Sequence, residues 1–266
     1  MRRDLADIAL ADRVFAPHYA LPVDYGCVAI AVPIRTAPST DAGAVSELLR
    51  GETFAAVDWS GQWAWGYSRH DNYVGYVPID ALGPVVAPTH VVTAPAALRF
   101  AAPDIKSPVL ERLPMGARLA IDGIEGTFLR AGDGFVHHRH IGAASDIAPD
   151  VVAMAERLIG TPYRWGGRSG DGVDCSGLVQ LALAFAGIAA PRDSDQQRET
   201  LGAAIAEGAP AQRGDLVFLP GHVGLMADAT NLVHANAHWM AVTREPLADI
   251  LARQPEGAGI IARRRL

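Results

Sequence analysis

The chain has 266 residues, half of them apolar and only 20% charged, so core-forming material is ample and general disorder is excluded. A net charge of −6 excludes nucleic acid as the main partner, because phosphate binding needs a basic surface. No apolar run approaches the ~20 residues of a membrane span. The two cysteines, Cys27 and Cys175, build no disulfide framework if one of them is a working nucleophile.

Arg2 and Arg3 open the chain, but Asp4, Asp7 and Asp12 interrupt the next residues, so the apolar centre of a secretory signal does not form. The expected compartment is the cytoplasm, with secretion or the periplasm as the alternative. Residues 1–24 predict a short helical stretch, Leu5 to Phe15, and a link through Pro17 and Pro22. Residues 25–87 read as short β segments between turns, among them Cys27–Val32, Phe54–Val57, Trp63–Tyr67 and Tyr73–Val77. Cys27 lies in an apolar run, as a buried small hydrophobe does.

Residues 88–146 repeat that layout. Ile34–Arg35–Thr36–Ala37 answers to Leu98–Arg99–Phe100–Ala101, Leu48–Leu49–Arg50–Gly51 to Leu113–Pro114–Met115–Gly116, and Gly75–Tyr76–Val77 to Gly134–Phe135–Val136. The repeat predicts two small barrels, each with a hairpin, a Leu-x-x-Gly turn and a closing Gly-aromatic-Val strand. His137, His138 and His140 invite zinc, but no cysteine or acidic ligand accompanies them at suitable spacing, so neither metal nor cofactor is expected.

After Pro149 the pattern changes, and residues 147–266 form the last predicted domain. Asp150 caps a helix from Val151 to Ile159 with apolar positions at Val151, Met154, Ala155, Leu158 and Ile159. A Gly-rich loop leads into a second helix, Cys175 to Ala186, which Gly187 ends. Leu216–Leu219, His222–Ala227 and Asn231–Ala235 read as consecutive antiparallel strands. The domain is therefore α+β, helices first and sheet after. The arginines Arg263–Arg265 read as a solvated tail.

The chemistry concentrates here. Cys175 opens a helix, where unpaired N–H groups and the helix dipole are expected to lower a thiol pKa. His222 and His234 fall on neighbouring strands. One is placed to act as general base and the other to orient it, as acyl transfer by a thiol requires.

Pro162–Tyr163–x–Trp165–Gly166–Gly167, Asp174–Cys175–Ser176–Gly177, Pro191–Arg192–Asp193–Ser194–x–Gln196, Gly214–Asp215–Leu216–Val217–Phe218 and His222–Val223–Gly224 together resemble the NlpC/p60 cysteine peptidases, over residues from about 150 to 245. The resemblance implies a papain-like catalytic domain acting on bacterial cell-wall peptides, with Cys175 as nucleophile, His222 as base and His234 as the third, polar member. The Asp71–Asn72–Tyr73–Val74–Gly75–Tyr76–Val77 run resembles bacterial SH3-like domains. Tandem SH3-like barrels before such a domain resemble the γ-D-glutamyl-L-diamino acid endopeptidases. That likeness implies a murein-derived substrate, L-Ala-γ-D-Glu-diamino acid, whose free N-terminal amine is held by Asp193 and Tyr73, with Asp174 and Ser176 beside the nucleophile contacting the same dipeptide. Tyr163 is a candidate oxyanion donor with the Cys175 backbone N–H. Three rivals stay open: a thiol amidase or acyltransferase, an endopeptidase on intact peptidoglycan with the barrels as wall-binding modules, and a wall-binding protein with an idle catalytic domain. The segment after Ala237 has no motif.

Overall fold

The structure is a computed structural model that describes residues 2, 4–146, 148 and 150–266. Met1, Arg3, Ile147 and Pro149 lie outside them, and Pro149 takes with it the point where the sequence pattern changes. The chain divides into two compact units, residues 1–145 and 146–266.

The stretch from Leu5 to Phe15 is not the helix its composition predicts. β1 (Leu5–Asp7) pairs in parallel with β2 (His18–Ala20), and only a single 3-10 turn, Ile8–Leu10, lies between them. Asp7 Oδ1 accepts from the Ala9 N–H at 2.9 Å. Asp7 thus caps the start of this single turn.

The first β module comprises β3 (Val23–Cys27), β4 (Ala31–Arg35), β5 (Ala44–Leu49), β6 (Thr53–Ser60), β7 (Trp63–Ser68), β8 (Val74–Pro78) and β9 (Leu82–Gly83), ordered β5-β4-β8-β7-β6-β3-β9 in one sheet. The predicted strand Cys27–Val32 is broken in two. The Cys27 amide donates to Glu52 O and its carbonyl accepts from Gly51, which turns the chain away before β4 begins. Ile34, Leu48, Phe54, Ala64 and Val77 fill the core, and Cys27 is buried among them with its thiol pushed up to about 12 by burial. At Gly66 a Cβ would stand 1.9 Å from Ala55 O, so only glycine lets β6 and β7 approach there.

The second module holds β10 (His90–Val92), β11 (Ala96–Phe100), β12 (Val109–Pro114), β13 (Arg118–Leu119), β14 (Gly123–Glu125), β15 (Phe128–Ala131), β16 (Gly134–His137) and β17 (Ile141–Ala143). They form two sheets, β12-β11-β16-β15-β14 and β13-β10-β17, around a separate core of Val92, Ala97, Leu113, Leu119, Leu129 and Val136. The internal repeat has a geometric basis. Gly51 and Gly116 both take left-handed φ, +77° and +90°, at the end of the Leu-x-x-Gly turn. In each module the Gly-aromatic-Val strand pairs with the first hairpin strand, β8 with β4 and β16 with β11.

The second unit begins with α1 (Val151–Glu156), whose Asp150 cap accepts from the Val152 and Ala153 N–H groups at 3.0 Å each. The helix is shorter than predicted; residues beyond Glu156 turn toward Gly160, where φ is +88°. A two-stranded hairpin, β18 (Arg168–Ser169) and β19 (Gly172–Val173), precedes α2 (Cys175–Phe185). All but one of the residues in α2 are buried, as in a helix that is a core element rather than a surface one. Then come α3 (Ser194–Thr200), β20 (Ala203–Ala204), β21 (Leu216–Leu219), β22 (His222–Met226), β23 (Asn231–Asn236), β24 (Ala241–Pro246), α4 (Leu247–Ala252) and β25 (Ala262–Arg265). The sheet order is β20-β25-β21-β22-β23-β24; α1 and α2 pack against its strands, and Ile250 of α4 joins Val217, Leu219, Met226 and Leu232 in a cluster.

The arginines Arg263–Arg265 are not a solvated tail. They lie in β25, inside the sheet between β20 and β21, and Arg265 grips the buried Asp215 carboxylate with two hydrogen bonds of 2.8 Å while Arg263 stands 3.8 Å from it. Asp215→Ala leaves two cations without a counterion at the sheet. It is expected to lower the unfolding free energy by about 2–3 kcal/mol, measured by urea denaturation of the full chain.

Candidate active site

Two backbone needs bring the Cys175 thiol into place. The first turn of α2 has N–H groups without helical partners, and the Gly-rich loop before it must pass close to that turn. Asp174 answers both. Its Oδ1 accepts from the Gly177 N–H at 2.8 Å and its Oδ2 from the Gly166 N–H at 2.8 Å, tying helix to loop. A Cβ at Gly177 would stand 2.3 Å from Gly167 O, so the DCSG glycine is a packing requirement.

Asp174 is itself held by Arg192, whose Nη1 and Nη2 donate to Oδ1 and Oδ2 at 2.9 and 2.5 Å. Both residues are almost fully buried. Arg192 Nη1 also donates to Ser176 Oγ at 2.9 Å, and that hydroxyl donates to Asp174 Oδ1 at 3.3 Å. Both Asp174 oxygens are thus engaged by the protein scaffold. The Ser176 hydroxyl is anchored in the same network. Arg192 was legible only as one letter of a motif, since nothing in sequence spacing reveals that its guanidinium meets a carboxylate eighteen residues earlier.

Cys175 is buried, and its thiol accepts hydrogen bonds from the Val223 and Ser176 backbone N–H groups, which seats it beside the start of β22. The expectation of a lowered thiol pKa fails. Burial, reinforced by the charge of Asp174, pushes Cys175 up to about 11 against those two N–H donors. Burial, reinforced by His234, likewise holds His222 down at about 4. Burial thus disfavours the charged form of each group taken alone.

The turn Pro220–Gly221 joins β21 to β22 with Leu219 opposite His222, and Gly221 takes φ of +67° there. His222 Nε2 lies 2.7 Å from His234 Nδ1, with ring centroids 5.0 Å apart. Gly224 makes the meeting feasible, because a Cβ at that position would stand 3.0 Å from the His234 Cβ. His234 is fully buried, and its Nε2 lies 2.8 Å from Glu245 Oε1. Sequence reading did not single out Glu245. Its signal is strand parity alone: Thr243 stands opposite His234 in the β23–β24 register, so Glu245, two residues on, faces the same side.

Tyr163 is half-buried, with its amide bonded to Met240 O at 2.9 Å. Burial, reinforced by the neighbouring Cys175 and Asp174, pushes its phenol up to about 12, so it stays a donor. Asp193 occupies the N-cap position of α3. That helix is docked on the first turn of α2 by Gln197, whose Nε2 donates to Ser176 O at 3.0 Å and Pro191 O at 2.9 Å. Tyr73 belongs to the first unit, half-buried after a turn in which Asn72 takes φ of +60° and Asp71 Oδ1 accepts the Tyr73 N–H. Among the described residues no group of histidine, cysteine or carboxylate side chains is arranged to hold a metal, and no helix is long and apolar enough to cross a membrane.

A buried thiol at the head of a core helix, beside a histidine pair on an antiparallel sheet, defines a papain-like α+β domain. Residues 160–251 match the NlpC/P60 family, and residues 34–82 match the bacterial dipeptidyl-peptidase Sh3 domain. The chain thus carries an NlpC/P60 domain and, ahead of it, a bacterial dipeptidyl-peptidase SH3 domain. Dipeptidyl-peptidase 6 of Lysinibacillus sphaericus is 43% identical over 95 residues, 33% of this chain and 32% of that protein. The gamma-D-glutamyl-L-lysine dipeptidyl-peptidase of Bacillus cereus (strain ATCC 10987 / NRS 248) is 26% identical over 223 residues, 71% of this chain and 66% of that protein. The chain thus spans about a third of the length of the first relative and just under two thirds of the second. A crystal structure of an NlpC/P60 family protein from Bacillus cereus ATCC 10987 shares the fold, with a TM-score of 0.78 at 21% identity over 91% of this chain and 99% of that one.

Removing one partner of the Asp174–Arg192 pair strands the other charge in the core. Arg192→Met is expected to cost about 3–5 kcal/mol of stability, read from chemical denaturation. The unfolded chain protonates its histidines near 6.5 while His222 resists until about 4, so the unfolded state binds the extra proton between those values. Stability is therefore expected to fall as pH drops through that window, as measured by melting temperature against pH, and His222→Phe should flatten the decline. Ultraviolet thiolate absorbance near neutral pH is expected to be that of a small minority species; a full thiolate signal would overturn that expectation.

Proposed function

We propose that the protein is a cysteine peptidase that hydrolyses the amide between γ-D-glutamate and a diamino acid in murein peptides with a free N-terminal L-alanine. The observation that carries the chemistry is the His222–His234 pair beside the helix-head thiol of Cys175. The substrate class rests on the relatives named as dipeptidyl-peptidase 6 and gamma-D-glutamyl-L-lysine dipeptidyl-peptidase.

His222 Nε2 is engaged by His234, which leaves Nδ1 as the nitrogen available to the thiol. In the forward step the thiol proton passes to His222 Nδ1 as sulfur attacks the γ-carbonyl, and the C–S bond forms as the carbonyl π electrons move to oxygen. The developing oxyanion is met by the Cys175 backbone N–H and the Tyr163 hydroxyl. His222 then returns its proton to the leaving amine as the C–N bond breaks. Water, deprotonated by the same nitrogen, opens the acyl-enzyme and regenerates the thiol. Burial makes each isolated ion costly, so charge separation is confined to the moment when imidazolium and thiolate or oxyanion stabilise each other. Asp193, placed on the helix that docks against the nucleophile's turn, is the carboxylate we assign to the substrate ammonium.

Mass spectrometry of products from L-Ala-γ-D-Glu-diaminopimelate and its lysine counterpart tests this reading. Cys175→Ala is expected to abolish turnover with folding intact, and His222→Ala to approach the same loss. N-acetylation of the substrate leaves a carboxylate without its ammonium, a loss on the order of 2–5 kcal/mol, so kcat/KM should fall by about two orders of magnitude. Asp193→Ala should narrow that gap. Equal rates on capped and free peptides would instead favour an endopeptidase acting on intact peptidoglycan.

A further inference from the structure

We infer that Glu245 is a positioning residue that fixes the protons of His234 and His222, so that the His222 nitrogen left for Cys175 is held as a base. This rests on the thiol-peptidase reading above and extends the site into the segment after Ala237, where the sequence carries no motif.

A carboxylate has no proton to give. With Glu245 Oε1 at 2.8 Å, His234 must carry its hydrogen on Nε2. Asn236 Nδ2 approaches the same nitrogen at 3.3 Å, but Thr243 Oγ1 at 2.8 Å and Ala241 O at 3.4 Å take its two hydrogens. A neutral imidazole has one N–H, so His234 Nδ1 is left as an acceptor, and the 2.7 Å contact requires His222 to donate from Nε2. His222 is neutral as well, and its Nδ1 is then unprotonated. One fixed acceptor at the far end thus sets every proton in the chain.

Glu245 is built to remain that acceptor. Arg253, just past the end of α4, pairs with its Oε2 at 2.8 Å, and Trp239 Nε1 donates to the same oxygen at 3.3 Å. Burial opposes its ionisation, but the bonds from His234, Arg253 and Trp239 outweigh this and hold the carboxyl below its usual range. Without the carboxylate, His234 is free to place its hydrogen on Nδ1 toward His222. His222 then accepts at Nε2 and turns an N–H toward the thiol, which is unreactive.

The test compares Glu245→Gln and Glu245→Asp with the parent chain. Three readouts are used: nitrogen NMR of the histidine tautomers, the alkylation rate of Cys175 by iodoacetamide near neutral pH, and kcat and KM on the uncapped tripeptide. Glu245→Gln is expected to populate the Nδ1–H form of His222, to slow alkylation, and to lower kcat by about 10- to 1000-fold with KM changed less than about twofold. Glu245→Asp, which keeps the acceptor on a shorter arm, should keep the parent tautomers and recover part of the rate. A parent-like tautomer pattern and alkylation rate in a folded Glu245→Gln chain would overturn the inference. If the parent chain cleaves no murein peptide, the peptidase reading fails, while the tautomers and the alkylation rate still decide the role of Glu245.

Discussion

The site depends on one buried ion pair. Asp174 and Arg192 are both out of water, and neither is tolerable there alone, since a lone buried charge costs several kcal/mol. Together they satisfy what the local backbone leaves open: the loop amide at Gly166, the helix amide at Gly177 and the Ser176 hydroxyl. The position of Cys175 is set by them, because it lies between the residue that caps the helix and the one whose hydroxyl joins the cap. The Gly-rich loop, the DCSG turn and the Pro191–Arg192–Asp193 segment are then parts of one construction rather than three motifs.

Burial sets the electrostatics of what is built on that frame. A helix N-terminus favours a thiolate, and two backbone N–H groups do reach the sulfur, yet desolvation and the neighbouring carboxylate outweigh them. The same desolvation keeps His222 neutral. The contacts of His222 run outward through His234 to Glu245 and to Arg253 at the end of α4. A helix end that lowers the pKa of an exposed cysteine does not do so for one sealed beneath a sheet.

The β modules show how little sequence a small barrel needs. Each uses one left-handed glycine at the end of its Leu-x-x-Gly turn and one pairing between the Gly-aromatic-Val strand and the hairpin. Each closes around its own apolar cluster. Arg50 of the first bonds Glu111 of the second at 2.7 Å, and its carbonyl accepts the Arg118 N–H at 2.8 Å. The Leu-x-x-Gly turn of the first module thus serves both its own fold and the contact with the second module.

Local rules settled much of this from the sequence. A cap before an apolar period marks the start of a helix wherever the chain meets it, so α1 and α2 were legible at their first residues, and the β21–β22 hairpin at its two-residue turn. The same rules made Cys175, His222 and His234 recognisable, since their neighbours in sequence are their neighbours in the motif. Only the tertiary structure decided the rest, because it turns on pairings between residues far apart in the chain. It took Leu5–Asp7 of the predicted helical stretch into a strand pairing with His18–Ala20, and placed Arg263–Arg265 in a sheet strand with Arg263 and Arg265 beside Asp215. It tied Asp174 to Arg192, and brought Glu245 to His234 through strand register. Spacing along a chain encodes helix and strand periods, but the dielectric around a side chain and the partner it meets across a sheet exist only once the sheet has formed.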